Sequence, residues 1–411
     1  MTTFRVGLPG AIAVTLFFAA CGGEGSDLAA PAESAVSSTV TTAGPFQTGG
    51  PPPSQPELES PGVGELRDGI PDVDVSKHIV ELSDVHFDTF DGRSVPLDQS
   101  TIELRRALLD AIRPLDDPVY DSAADGAWLE PSDLVLGYVA GDRAYAFPHK
   151  ILNFHEIVND EFDGVPVLVS YCPLCRSGVV YHRRLGGVTL SFSNTSALYE
   201  SDLVMVDRET GSYWWQVPGR AIVGTLSGEE LQPLPSVTTT WGDWIERFPN
   251  TMVLSRNTGS PIDYTRDPFV GYQELVDRGG FAFPVSPGSL DPRLSAGTLV
   301  LGIEIGDEQR VYPLELLGAA VVNDLVGGEP VAVFTWDGGG AVFSPVVGGD
   351  ALTFSFADGE ITDDQTGSTW SRDGRATDGS LLGASLQPLP VRSTFWFAYV
   401  GAFPGADVYA P

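Results

Sequence analysis

The chain has 411 residues and a formal net charge of −32, from 23 Lys and Arg against 55 Asp and Glu. That balance excludes the basic face that nucleic acid rewards, and it excludes docking on an anionic membrane by charge. The acidity is read as a solubility device, and the length allows two or three domains.

Residues 1–20 carry a positive charge at Arg5 and an apolar run from Ala11 to Ala20. This is the pattern of a secretory signal peptide, too short to serve as a membrane-spanning helix. The Ala19-Ala20-Cys21-Gly22 end reads as a bacterial lipobox, so Cys21 is the expected lipidation site and new N-terminus. The expected location is the cell envelope, on the periplasmic or extracellular face, with the membrane as partner through that lipid. Residues 21–70 are expected to form a disordered tether: from Gly22 to Gly64 the chain is rich in Gly, Pro, Ser, Thr and Ala, with Phe46 its only aromatic residue. Residues 71–130 are a lead-in segment.

The rest of the chain repeats itself. "LVLGYVAGDRAYAFP" from Leu134 matches "LVLGIEIGDEQRVYP" from Leu299, and "IVNDEFDGVPVLV" from Ile157 matches "VVNDLVGGEPVAV" from Val321. "TGSYW" at Thr210 pairs with "TGSTW" at Thr366, "LQPLP" occurs at Leu231 and Leu386, and Trp241 pairs with Trp396. The order is kept while the offset drifts from 165 (299 − 134) to 155 (396 − 241). One unit is therefore expected twice, over 131–256 and 296–411, joined by a connecting segment at 257–295. Each unit reads as a hairpin with a Gly-Asp turn, a short helix (Pro148–Asn159, Pro313–Asn323), a buried strand, two further hairpins and a short aromatic helix. The expected fold class is α+β and β-rich: two tandem homologous repeats of antiparallel sheet with short packed helices.

The chemistry concentrates in the first unit, at "VPVLVSYCPLCRSGVVY". A thioredoxin site places its second cysteine in a helix, whereas a hairpin follows Cys175. Cys-Pro-x-Cys turns also serve as metal knuckles, but a closed zinc site needs four ligands. His155 shares a helix face with Ile151 and Val158 by the i, i+4, i+7 rule, and that face is expected to point at the strand delivering Cys172. The proposed ligands are Cys172, Cys175 and His155, with Met205 as a fourth; His182, Glu156 or water are the other options. Glu156, Asn159, Asp160 and Asp207 are expected to support them through hydrogen bonds. Thiolate, imidazole and thioether suit Zn or Cu(I). In the second unit the cysteine loop becomes "WDGGG" at Trp336, His155 aligns with Ala319, Glu156 with Ala320, His182 with Ser344 and Met205 with Ile361, while Asn159 and Asp160 keep Asn323 and Asp324. The second copy reads as a decayed one. Two other roles remain open: a thiol–disulfide oxidoreductase on a non-thioredoxin scaffold, and a surface module that binds a ligand without chemistry.

The ordered set "HKILNFHEIVND", "VLVSYCPLCRSGVVYHR", "SDLVMVDRETGSYWWQVPGRAIVG", "LQPLP" and "WGDWIERFP" resembles the bacterial family catalogued as domain of unknown function 3179. The resemblance runs from about Asp88 to the C-terminus, with "DPFVGY" at Asp267 and "FPV" at Phe283 resembling that family's linker. It implies an exported protein, and it brings no activity, cofactor or substrate.

Overall fold

The structure is a computed structural model that describes residues 65–67 and 69–410. The expected signal peptide, Cys21 and most of the expected tether lie outside the described residues. The expected tether boundary at residue 70 moves back, because Glu65–Arg67 already forms a strand paired with Ile70–Pro71.

The protein is β-rich, built from several mostly antiparallel sheets and a few short helices. Among the described residues no helix is long and apolar enough to cross a membrane. One sheet runs through both halves of the molecule. In order it contains Asp407–Val408, Glu308–Pro313, Leu299–Ile305, Arg392–Phe395, Ser177–His182, Val165–Cys172, Ile157–Phe162 and Leu115–Asp116. The join is the bridge between Gly178 and Ser393. Strand Val165–Cys172 is buried along nearly its whole length, as a central strand with both faces covered requires. Its two faces serve different cores: Tyr171 packs with Ile151, Leu152 and Tyr264, whereas Cys172 and Cys175 pack in the largest cluster with Met205, Trp214 and Tyr272.

A six-stranded sheet carries the hairpin Phe192–Tyr199/Asp202–Asp207, and the lead-in strand Val85–Asp88 pairs onto it. The rear half has a shorter hairpin, Phe354–Ala357/Glu360–Asp363. Around both hairpins the same contacts recur. Asn159 brackets the backbone of Phe192 with two hydrogen bonds of 2.8 Å, and Asn323 brackets Phe354 with two of 2.9 Å. Asp207 accepts from the Thr210 N–H and the Trp214 indole at 2.6 and 2.8 Å; Asp363 accepts from Thr366 and Trp370 at 2.6 and 3.0 Å. Gly137 and Gly302 each lie so close to an aromatic ring, Trp244 and Tyr399, that any Cβ there would collide with it.

The expected helices are shorter than the sequence suggested. They span His149–His155 and Leu314–Leu317, and Ile157–Phe162 and Ala320–Val326 are strands. Asn159 and Asp160 therefore stand on a strand, not a helix. The β-branched pair Ile157-Val158 favours extended backbone. Asp163-Gly164, both at positive φ, closes a tight hairpin that fixes the strand's far end.

Candidate metal centre

Two turns build the site. Strand Val165–Cys172 ends in the turn Pro173–Arg176, and Ser177 resumes pairing opposite Cys172. The second turn is Glu200–Ser201, at the tip of the longer hairpin. Both residues have positive φ, 53° and 57°, in a two-residue loop that usually takes Gly or Asn. The Glu200 carboxylate anchors this costly turn by accepting from Ser286 N–H and Ser289 Oγ at 2.8 and 2.9 Å.

That tip delivers Asp202 to the cysteines. Cys172 and Cys175 are unbonded, their sulfurs 3.5 Å apart. The Cys175 thiol lies 3.3 Å from Asp202 Oδ1 and 3.4 Å from the Ser201 carbonyl oxygen. Ligand atoms of Cys172, Cys175 and Asp202 all fall within 4.8 Å of one another. Asp202 also accepts backbone N–H bonds from Leu203 and Val217, at 2.8 and 2.9 Å, so its carboxylate is fixed in place. From the other half of the molecule, Thr394 Oγ1 and the Phe395 N–H donate to the Cys175 carbonyl at 2.9 and 2.8 Å.

The electrostatics are unusual. Burial pushes the Asp202 carboxyl up to about 7 and raises both thiols, Cys175 well above the ordinary range. Glu156 stands nearby at the left-handed end of its helix, with φ 58° and a 2.7 Å hydrogen bond from the Asn194 amide; burial pushes it up to about 8, and the Asp202 charge adds to the shift. No Lys or Arg forms an ion pair with any of these four groups among the described residues. Empty, such a cluster holds protons; a divalent cation would replace them with its own charge.

The expected ligand set needs correction at one position. His155 does not reach the cysteines: its Nδ1 pairs with the Arg113 carbonyl at 2.7 Å and its Nε2 with the Tyr264 hydroxyl at 2.6 Å. The reason is strand alternation. The helix covers the face that carries Tyr171, and His149 stacks on that ring at 4.4 Å, while the next residue, Cys172, points the other way. Met205 packs in the same apolar cluster as both cysteines and stands in register with Trp214 on the next strand. The supporting groups divide similarly. Asn159 and Asp207 hold their hairpins, Asp160 accepts from Tyr120 at 2.6 Å, and His182, at the far end of its strand, accepts the Arg184 N–H. Only Glu156 lies in the electrostatic field of the cysteine cluster. Asp202 was missed. Its signal was present in "ALYESDLVMV": one carboxylate directly after a two-residue turn, ahead of the apolar run Leu203–Val206.

The family described as "Protein of unknown function (DUF3179)" matches residues 109–406. The chain belongs to this DUF3179 family. The DUF3179 match covers both turns of the site, the connecting segment and the rear strand that holds Cys175. No curated protein and no solved structure matches the chain.

Proposed function

We propose that this DUF3179 protein is a metal-binding lipoprotein of the cell envelope, anchored through Cys21, that holds zinc between Cys172, Cys175 and Asp202. The observation that carries the reading is the convergence of two thiols and a carboxylate in a buried place without a cation. Two sulfurs and one carboxylate oxygen suit Zn²⁺; Cu(I) prefers softer sets, and the His155 imidazole is held by Arg113 and Tyr264. We read the two halves as copies of one unit, supported by the paired Asn, Asp and Gly contacts, with the metal chemistry retained in the front copy. The experiment is elemental analysis with thiol counting on protein purified reduced and without oxygen. The expected result is near-stoichiometric zinc, lost in Cys172→Ser; metal-free protein with two freely reactive thiols would sink the reading.

A second reading is a dithiol–disulfide couple, favoured by the 3.5 Å contact between the sulfurs. Exchange needs an accessible thiolate, and these thiols are buried with raised pKa values. A measurable reduction potential for the pair in zinc-free protein would move the balance to this reading.

A further inference from the structure

We propose that the connecting segment, residues 257–295, is a strap closed over the cysteine centre, and that its local opening, with the sheets intact, sets how fast a reagent in solvent reaches Cys172 and Cys175. The proposal rests on the burial of those thiols and stands whatever ion they hold. Both are shut in, at 1% and 0% exposure, so anything that reacts with them needs part of the protein to move. The strap touches both turns of the centre. On the cysteine turn, Arg176 directly follows Cys175, and its guanidinium donates to Gln273 Oε1 at 2.9 Å. The same Gln273 amide donates to the Gly297 carbonyl and to Glu315, at 3.2 Å each, which ties that turn to the rear half. On the hairpin tip, Glu200 accepts from Ser286 N–H and Ser289 Oγ. Between them, Tyr272 packs in the same apolar cluster as both cysteines. Its hydroxyl accepts the Ala282 N–H at 3.3 Å and pairs with the side chain of Ser201, next to Asp202.

What the strap covers is far better held than the strap itself. Residues 257–295 contain no strand; their regular structure is the six-residue helix Tyr272–Asp277 and one 3-10 turn, Pro287–Ser289. Of these residues only Tyr264, Tyr272, Val276 and Ser289 are buried. Phe269, Leu275 and Phe281 lie half-buried against the main core. The strand beneath, Val165–Cys172, is buried along nearly its whole length and paired on both sides. A segment with few buried side chains and no ladder opens at a lower free-energy cost than the sheets around it. Its latches onto the two turns are side-chain hydrogen bonds, each worth about 1 kcal/mol.

The test follows the reaction of the chromogenic disulfide dithiobis(nitrobenzoate) with the reduced, zinc-stripped full chain, by absorbance, at rising urea below the unfolding transition. The phase that belongs to the centre is the one missing from the Cys172→Ser, Cys175→Ser double variant. The expected result is a slow reaction whose rate is nearly flat at low urea, because local opening exposes little surface. Tyr272→Phe, which keeps the ring and removes the hydroxyl, and Gln273→Ala, which frees Arg176, should each speed it about two- to tenfold, the worth of one hydrogen bond. A rate that climbs with urea as steeply as global unfolding would overturn the proposal, since the thiols would then be reached only through the unfolded chain. Thiols as fast as those of the unfolded chain would show that the strap restricts nothing, and unchanged rates in both variants would remove its latches. Because the metal is stripped beforehand, a failure of the zinc reading leaves each of these outcomes legible.

Discussion

The front and rear halves share a framework and differ in what it displays. Both fasten their hairpins with an asparagine bracket and an aspartate that gathers a threonine and a tryptophan. Both lend a threonine to the turn of the other half: Thr394 donates to the Cys175 carbonyl, and Thr239 Oγ1 accepts the Trp336 indole at 3.2 Å. The front half alone extends its hairpin, places Asp202 at the tip, and puts cysteines in the facing turn. The comparison teaches that the scaffold does not require the cysteines or Asp202. An ordinary apolar or glycine-rich turn fills the same place at Trp336 to Gly340.

That contrast can be broken most directly at the donors. Cys175→Ser or Asp202→Ala should remove retained zinc after dialysis against a chelator, read by elemental analysis. His155→Ala should keep the zinc while losing stability, because its imidazole bridges Arg113 and Tyr264. Zinc loss in His155→Ala at intact fold would restore the histidine to the ligand set.

The shared framework predicts matched losses. Asp207→Ala and Asp363→Ala each strand an indole N–H and a threonine, and each should cost about 2–4 kcal/mol in denaturant unfolding. A loss in one half only would break the parity.

The titration of the empty centre gives a smaller effect with a definite sign. Asp202 and Glu156 have folded values of about 7 and 8, above the roughly 3.9 and 4.3 of unfolded chains. Between those limits the folded state keeps protons that the unfolded state releases. The contribution of these two groups to zinc-free stability is therefore greatest below about pH 4 and falls as pH rises through the folded values, by about 1.4 kcal/mol per unit for each group while it remains protonated. Thermal melts of zinc-free protein from pH 5 to 8 should show this decline, and Asp202→Asn should make it shallower. A pH-independent melting temperature would contradict the buried, uncompensated cluster.

The smallest expected effect sharpens the exchange between halves. Thr394→Val and Thr239→Val should each cost about 1 kcal/mol, but only Thr394→Val should also weaken zinc, severalfold. Equal zinc affinity in both variants would mean that the rear strand does not position Cys175.

Much of the framework was legible in the sequence because its contacts are local or repeat. "IVND" with "VVND" and "TGSYW" with "TGSTW" name residues that make equivalent bonds in the two halves. The cysteine turn was legible as a turn inside a hairpin because strand-forming residues, not a helix, follow it. The third donor was not, because Asp202 reaches Cys175 across 27 residues, and no periodicity encodes which hairpin tip meets which turn. The histidine misled for a stereochemical reason: helix spacing gave its face correctly as inward, but a strand has two faces, and the one it meets carries Tyr171. The helix ends were also misjudged, since the left-handed Glu156 that stops the first helix is neither Gly nor Asn and gives no warning.

The bond from Thr394 to Cys175 spans 219 residues, and this sets a schedule. A chain emerging N-terminus first makes both cysteines long before the strand that seats them. The turn is then finished only when strand Arg392–Phe395 has arrived. On the zinc reading, ion capture waits for that strand, and a chain cut short before Arg392 would carry the sulfurs without the clasp that aims them.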